Sequence, residues 1–288
     1  ARTWRDQGRA AGWRTVEKAL PLAVPTRLVQ SSLRACKGRQ ARRAAEHRAR
    51  VRVSTRVHAR DALWALDATH LGRVGRTAVE GQVLRDAASR RTAALSVGRP
   101  ARGADVVTLL RTARRRRGTL PLVLATDNGA PYRSGLLRAY LARHGVLQLF
   151  SLPRTPQHNA VAERAIGELK EDSGLGRGVA LPDARSAAHR LEASARRLDR
   201  VRLRACLGYR TAAEADAVLP RAGALVDRAR IFKATRCAVG RAVLGCSNDR
   251  ERRRAERNTI LAVLEKSGLA TTTRGGEPLA LVKPEVVS

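Results

Sequence analysis

Residues 124–171 decide the fold and chemistry of this chain, and they read LATDNGAPYRSGLLRAYLARHGVLQLFSLPRTPQHNAVAERAIGELKE. Asp127 follows an apolar run, Glu163 lies in a segment predicted to be helical, and thirty-five residues separate the two acids. A third acid, Asp67, follows another apolar run in ALWALDATHL at residues 62–71. Two aspartates on strands and a glutamate on a helix can converge on divalent metal ions, an arrangement suited to phosphodiester chemistry.

The composition indicates a protein that binds a polyanion. The chain has 288 residues, of which 43% are hydrophobic, so that there is material for one mid-sized core with appendages. Its formal net charge is +32, which points to nucleic acid as the partner. The alternative is that the many arginines reflect a genome rich in Arg and Ala codons.

Cysteine usage and hydropathy predict an intracellular location. The cysteines form no CxxC pair and have no flanking histidines at zinc-ligand spacing, which favours reduced thiols; they are Cys36, Cys206, Cys237 and Cys246. No apolar run approaches the roughly eighteen residues of a membrane span, and no secretory signal opens the sequence. We therefore expect a cytoplasmic, nucleoid-associated bacterial protein. Because methionine is absent and residue 1 is Ala, we also expect the true start to be missing.

Residues 1–60 are predicted to form a DNA-binding segment. Residues 12–36 contain two helical stretches with apolar faces, separated by a turn, and Pro25 is well placed at the start of the second. This pattern predicts a helix-turn-helix, although a helical hairpin that only packs on the core fits equally well. Residues 37–60 are crowded with arginine and lack strong periodicity, which indicates a basic connector that follows phosphates or a solvated linker.

Residues 61–216 are predicted to form a mixed α/β core. The pattern predicts a strand at residues 62–66 that ends at Asp67, a two-stranded hairpin, and then alternating helices and strands. The remaining segments are strands at 82–86, 92–97, 120–125 and 146–150 and helices at 104–116, 136–143 and 157–171. This order predicts a mixed sheet with helices on both faces.

The predicted helix at residues 157–171 has two different faces. At 100° per residue, Ala162, Ala165 and Leu169 share the side that should pack on the sheet. Glu163 and Lys170 share the other side, with Gly167 between them and Asn159 and Ile166 at the edge. A glycine there leaves room for a nucleic-acid backbone, so that an acid and a base occupy one exposed stripe.

These motifs resemble the catalytic core of the DDE transposases and retroviral-type integrases. The resemblance is carried by WALDATHL around Asp67, ATDNGAPY around Asp127 and PRTPQHNAVAERAIGELK around Glu163, and it covers about residues 61–211. The segment at 198–216, LDRVRLRACLGYRTAAEAD, looks like the one that closes this core in bacterial insertion-sequence transposases. The resemblance implies a ribonuclease H-like mixed sheet flanked by helices.

It also implies a metal-dependent DNA strand transfer reaction. Asp67, Asp127 and Glu163 would be both the catalytic residues and the ligands of two Mg²⁺ or Mn²⁺ ions, since oxygen ligands suit these hard cations. Water would first free a 3′-hydroxyl at a transposon end, and that hydroxyl would then attack target DNA. The partners implied are transposon-end and target DNA, and a homo-multimer that pairs two ends.

Further residues are predicted to contact DNA. They are Lys170, Asn128, Asn159 and Arg164. Each has a plainer interpretation, because a helix lysine can simply be solvated and asparagines favour turns and helix entries. The tyrosines are interpreted as packing residues rather than nucleophiles, because this mechanism needs no covalent protein–DNA intermediate.

Residues 217–288 are predicted to be a separable basic accessory region. Residues 250–267 are helical by pattern, and ATTTRGGEPLALV at 270–282 predicts two short strands about a Gly-Gly turn. A helix followed by a basic hairpin fits a winged DNA-binding element, a multimerisation element or a stabilising tail. The functional alternative for the whole chain is an inactive or domesticated DNA-binding derivative of a transposase.

Overall fold

The structure, a computed structural model, describes residues 3–4, 12–51, 53–152, 159–275 and 277–278. One compact unit contains the described residues up to Val53 together with 273–278, and the other contains residues 54–272. The proline-rich lead-in predicted at residues 153–156 lies outside the described residues. In the described part of the chain, no helix has both the length and the apolar character that a membrane crossing requires.

The first unit contains the two helices predicted near the N-terminus. They are α1 (Trp13–Lys18) and α2 (Thr26–Val51), and the turn between them includes Pro25. A small core joins them, formed by the buried side chains of Trp4, Val16, Val29 and Leu33. The two-helix prediction is confirmed, whereas a role for α2 in contacting DNA stays a prediction.

The predicted basic connector at residues 37–60 is mostly regular structure. Helix α2 continues through its arginine-rich part to Val51, and strand β1 (Val53–Val57) follows. Alanine and arginine both favour helix without needing an apolar face. The stretch is therefore mostly helix and strand, whereas its role as a basic connector stays a prediction.

A five-stranded sheet forms the centre of the second unit. Its strands are β2 (Leu63–Val74), β3 (Thr77–Asp86), β4 (Thr92–Gly98), β5 (Val123–Thr126) and β6 (Leu147–Phe150). The strand order is β4-β3-β2-β5-β6, in which β2, β3 and β4 are antiparallel neighbours and β2, β5 and β6 are parallel neighbours. The mixed sheet predicted from the sequence is confirmed.

Helices cover both faces of this sheet. On one face lie α3 (Gly103–Arg117) and α4 (Gly135–Arg143), around a core that includes Trp64, Leu66 and Leu110. On the other lie α5 (Ala160–Ser173) and α6 (Ala184–Val201), around a core that includes Val83, Leu169 and Leu191. Alternate residues of a strand point to opposite faces, so β2, β3 and β4 each contribute to both cores.

Strand β2 is longer than predicted. The sequence placed Asp67 at the end of a short strand, but β2 continues beyond it to Val74 because it pairs with β3 as a long hairpin. The register runs from Trp64 opposite Asp86 to Val74 opposite Thr77. The polar residues that follow Asp67 concealed this extension, since they break the apolar run on which the prediction depended.

The C-terminal part of the second unit packs against the central sheet. Its elements are 3₁₀ helix Ala205–Leu207, α7 (Ala212–Val218), α8 (Ala222–Leu225), α9 (Arg228–Val243) and α10 (Asp249–Lys266). Ile260 and Leu264 of α10 share a buried core with Val123 of β5 and Leu149 of β6. Within the described residues, the boundary predicted at residue 217 is therefore not a break in packing.

The short strands predicted near the C-terminus are present. They are β7 (Ala270–Arg274) and β8 (Glu277–Pro278), which pair antiparallel with Arg274 opposite Glu277. The predicted helix before them corresponds to α10. Whether this segment has a role in DNA binding stays a prediction.

A buried ion network joins α5 to the sheet. Glu168 of α5 is 7% exposed and binds Arg85 of β3, with 3.1 Å between Oε2 and Nη1. Arg204 donates to both carboxylate oxygens of Glu168 at 2.8 Å. Removing one partner of such a network leaves uncompensated charge in a poorly solvated place, which is strongly unfavourable.

We predict that Glu168→Gln lowers the free energy of unfolding by about 3 kcal/mol or more. The reason is that Arg85 and Arg204 would remain buried without their counter-charge. Chemical denaturation measures the effect. Glu171→Gln is the matched control, since Glu171 is exposed on the same helix, and it should change stability by less than about 0.5 kcal/mol. Equal effects of the two substitutions would contradict the assignment.

The same network predicts a dependence of stability on pH. Burial acts to raise the pKa of Glu168, but the hydrogen bond from Arg204 and the charge of Arg85 outweigh it and lower that pKa. Because the pKa of Glu168 is lower in the folded protein than the unfolded-state value of about 4.3, ionised Glu168 stabilises the fold above that pH. This contribution is lost as the pH falls from the unfolded-state pKa through the folded-state pKa. The difference in unfolding free energy between the wild type and Glu168→Gln should therefore shrink from pH 7 to pH 3; an unchanged difference would contradict the lowered pKa.

Candidate active site

Asp67 lies on the face of the sheet that α5 covers. Its partner in the register of β2 and β3 is Val83, and directly opposed residues share a face. Val83 packs in the same core as Ala165 and Leu169 of α5. Asp67 itself is only partly exposed, and its Oδ1 accepts a hydrogen bond from the Ala68 amide at 2.9 Å.

Asp127 follows the last residue of β5 and is exposed. The parallel register of β2 and β5 sets Ala65 beside Ala125. Asp67 and Asp127 are each two residues further along, and their charges interact. The Gly129 amide donates to Asp127 Oδ1 at 2.8 Å, which closes a tight turn after the strand. The turn predicted from TDNG is present, and it carries the Asp127 carboxylate at the C-terminal end of β5.

Glu163 lies in the first turn of α5 and is exposed. Asn159 precedes the helix and is buried, and its Nδ2 donates to the Leu66 carbonyl at 3.3 Å. Leu66 is the residue immediately before Asp67. This hydrogen bond attaches the start of the glutamate's helix to the strand that carries the first aspartate.

The three carboxylates influence one another electrostatically. Burial raises the pKa of Asp67 to about 6, and the negative charges of Asp127 and Glu163 contribute to the rise. Burial also raises the pKa of Tyr132, with contributions from Asp67 and Asp127. Tyr132 is buried in the core, so the interpretation of this tyrosine as a packing residue is confirmed. Asp67, Asp127 and Glu163 are far apart in the sequence, but the fold brings them close enough for the charges of Asp127 and Glu163 to act on Asp67.

The donor set suits a hard divalent cation. Among the ion pairs of the described residues, none includes Asp67, Asp127 or Glu163, although the chain has a net charge of +32. As they stand, no three His, Cys, Asp or Glu side chains of the described part meet closely enough to hold a metal. Repulsion keeps like charges apart, and a divalent cation removes that repulsion. Oxygen ligands match Mg²⁺ or Mn²⁺.

The predicted stripe on α5 is open to solvent. Glu163, Arg164 and Gly167 are exposed, and a Cβ added to Gly167 would meet no atom within 4 Å. Lys170 is half-buried, and burial lowers its pKa, with a contribution from the charge of Arg177. Ala162, Ala165 and Leu169 are buried as predicted, whereas Ile166 is buried rather than at the edge of the exposed face.

Asn128 is held within the protein by both ends of its amide. Its Nδ2 donates to the Ser151 carbonyl at 2.6 Å, and its Oδ1 accepts from Arg253 Nη1 at 2.9 Å. Asn159 is likewise buried. DNA contact by these two asparagines stays a prediction, but their observed partners give both a positioning role beside Asp127 and Asp67.

Two arginines of α10 were missed by the sequence analysis. Arg253 holds Asn128, and Arg257 Nη1 donates to the Phe150 carbonyl at the end of β6 at 3.3 Å. Burial lowers the pKa of Arg257 to about 10. In a sequence with 57 lysines and arginines, nothing local distinguishes these two from the others.

A β4-β3-β2-β5-β6 sheet with helices on both faces, Asp67 on β2 and Asp127 immediately after β5 is the arrangement of a ribonuclease H-like core. A family model described as "Integrase core domain" matches residues 57–156, a range that contains Asp67 and Asp127 and ends before Glu163. This part of the chain is therefore similar to the integrase core domain.

Solved structures with a similar arrangement come from retroviral integrases. The HTLV-2 integrase catalytic core domain in complex with magnesium, in its dimeric form, is 14% identical and has a TM-score of 0.44, with 56% of this chain and 99% of that chain covered. The simian T-cell lymphotropic virus intasome in complex with PP2A regulatory subunit B56 gamma is 17% identical, with a TM-score of 0.47 and coverage of 77% and 76%. The BIV integrase catalytic core domain is 19% identical, with a TM-score of 0.40 and coverage of 54% and 92%. A search of curated proteins finds no match.

We predict that Arg253→Ala loosens the turn that carries Asp127. Loss of a hydrogen bond worth about 1 kcal/mol should speed amide hydrogen exchange at Asn128 and Gly129 by about fivefold. Arg254→Ala is the control, because Arg254 is its exposed neighbour on the same helix. Exchange rates that are the same in both variants would show that Arg253 does not hold this turn.

Proposed function

We propose that this protein is a transposase or integrase that cleaves and joins DNA strands with the help of Mg²⁺ or Mn²⁺ ions. The observation that carries the proposal is the shared environment of Asp67, Asp127 and Glu163. The charges of Asp127 and Glu163 act on Asp67, whose pKa is raised to about 6 by burial together with these charges. The integrase core assigned to residues 57–156 supports a polynucleotidyl transferase reaction.

Asp67, Asp127 and Glu163 would hold the divalent ions through carboxylate oxygens. Bound ions would supply activation of the attacking oxygen and stabilisation of the leaving oxygen. The protein's own contribution is to fix the carboxylates. Strand β2 holds Asp67, the Gly129 amide orients Asp127, and Asn159 sets the start of the helix that carries Glu163.

The exposed stripe on α5 is proposed to contact the reacting DNA. Arg164 and Lys170 are cations on the same helix as Glu163. Gly167 lies between them in the sequence and has no side chain, which leaves space there for a DNA backbone. A cation that contacts a phosphate orients the backbone without reading its sequence. Lys170 is the better candidate for the strand beside Glu163, because the two residues are seven positions apart and therefore nearly aligned along the helix.

The partners proposed are transposon-end DNA and target DNA, with two ends paired by a homo-multimer. Binding to chromosomal DNA would place the protein at the nucleoid of a bacterial cell. An inactive derivative that only binds DNA is not favoured by any observation, since all three acidic residues are present at positions 67, 127 and 163.

We predict that Asp67→Asn, Asp127→Asn and Glu163→Gln each reduce strand transfer by at least about 10³-fold while DNA affinity changes by less than threefold. Loss of one metal ligand removes transition-state stabilisation of several kcal/mol, and about 4 kcal/mol corresponds to this factor. The measurement is the joining of labelled DNA ends to target DNA with Mg²⁺ or Mn²⁺.

Glu171→Gln is the control, because Glu171 is an exposed acid on the same helix as Glu163. It should retain strand transfer. If all three substituted proteins remain active, the site assignment is wrong. If the wild type binds DNA ends but never joins them with either metal, the inactive derivative becomes the better interpretation.

A further inference from the structure

An arginine-lined cleft lies away from the carboxylates. It has a volume of about 400 Å³ and is formed by the start of β4, the end of α3, the second half of α6 and α7. Seven arginines and three acidic residues line it, which leaves a surplus of four positive charges. All of its residues belong to the unit formed by residues 54–272.

The floor of the cleft is a fixed network of ion pairs. Asp216 is 2% exposed and binds Arg91 at 2.7 Å and Arg117 at 2.8 Å, with Arg60 at 3.8 Å. Arg117 also binds Asp61 at 2.8 Å, which holds its guanidinium between two buried carboxylates. Asp199 also lines the cleft and interacts electrostatically with Arg91, so the floor holds three guanidinium groups against three carboxylates. The side chain of Arg91 remains 47% exposed and is accessible from the cleft.

The rim adds cations that have no counter-charge. Arg116, Arg200 and Arg221 line the cleft and are exposed, and none of them takes part in an ion pair among the described residues. The acid on the rim, Glu192, already lies 3.6 Å from Arg196 of the same helix. Guanidinium groups that converge in a concave site bind phosphate oxygens in paired hydrogen bonds.

We propose that this cleft binds consecutive phosphates of a DNA backbone. Duplex DNA carries one negative charge per about 1.7 Å of its axis, so several phosphates can meet arginines that come from different elements. Fixed floor cations lose little conformational entropy on binding, whereas free rim cations provide counterion release. Recognition is of phosphate, since arginine is the most frequent residue of the lining and no aromatic residue is among those that form it.

The cleft lies toward the end of the sheet opposite the candidate active site. Arg117 binds Asp61, which precedes β2, whereas Asp67 is six residues further on and Asp127 lies beside it. Six extended residues span up to roughly 20 Å. The cleft therefore engages DNA remote from the reacting phosphate, either further along the same duplex or on a second duplex. Only the choice of DNA as the ligand depends on the proposed function.

The test replaces the three rim arginines together, as Arg116→Gln, Arg200→Gln and Arg221→Gln in one protein. Binding of a labelled duplex is followed by fluorescence anisotropy between 50 and 200 mM salt, without divalent metal. If each arginine neutralises one phosphate, the slope of log affinity against log salt becomes flatter by about 2.7. Over this range the wild type should lose about 40-fold more affinity than the variant.

The control is a protein with Arg143→Gln, Arg230→Gln and Arg254→Gln. These arginines are exposed and do not line the cleft, so both triple variants lose three positive charges. The melting temperature of each variant confirms that it is folded. If the control flattens the slope as much as the rim variant, net charge explains the effect and the proposal is wrong.

Three further outcomes are decisive. If tripolyphosphate raises the melting temperature of the wild type but not of the rim variant, while DNA binding is the same in both, the cleft takes small polyphosphates and the DNA proposal fails. If rim substitutions weaken DNA binding although no strand transfer is ever observed, the cleft proposal holds and the proposed function fails. If strand transfer is observed but the rim variant binds DNA as well as the wild type does, the proposed function holds and the cleft proposal fails.

Discussion

If Asp67, Asp127 and Glu163 hold divalent cations as proposed, their carboxylates must stay free of arginine in a protein that has 57 basic and 25 acidic residues. An arginine bound to Asp67 or Asp127 would occupy oxygens that a divalent cation needs. In the structure, arginines of the sheet and its flanking helices form ion pairs with other acidic residues instead. Arg85 and Arg204 bind Glu168, and Arg117 binds Asp61 and Asp216. Within the described residues, the charges that remain around Asp67 are therefore those that raise its pKa.

Residues distant in the chain control the local geometry of the acids. The turn after β5 is short, but Asn128 connects it to Ser151 and to Arg253 of α10. A burial-driven interaction holds α10 in place, because Ile260 and Leu264 share a core with Val123 and Leu149. Apolar packing between β5, β6 and α10 thus positions Arg253, and Arg253 in turn holds the polar turn after β5. The C-terminal part of the unit acts on the candidate site through this contact.

The sequence predicted those features that depend on local pattern. Periodicity located the strands and helices of the core, and the motifs around Asp67, Asp127 and Glu163 identified the acids. It failed where pairing partners decide the outcome, as in the extension of β2 beyond Asp67, which the hairpin with β3 supports. It also failed for Glu168, Arg85 and Arg204, since a buried ion network has no sequence signature in a chain where arginine occurs in most segments. Arg253 was missed for the same reason.

Glu163 and Glu168 of α5 show how the proposed chemistry and the stability of the fold are divided between faces of one helix. Glu163 and Glu168 are five residues apart, which at 100° per residue places them about 140° apart around the axis. Glu168 faces the sheet, where two arginines stabilise it, whereas Glu163 faces solvent without an ion pair among the described residues. The first interaction fixes the rotation and position of the helix. Because the helix is fixed in this way, Glu163 can be held near two other negative charges without a partner of its own.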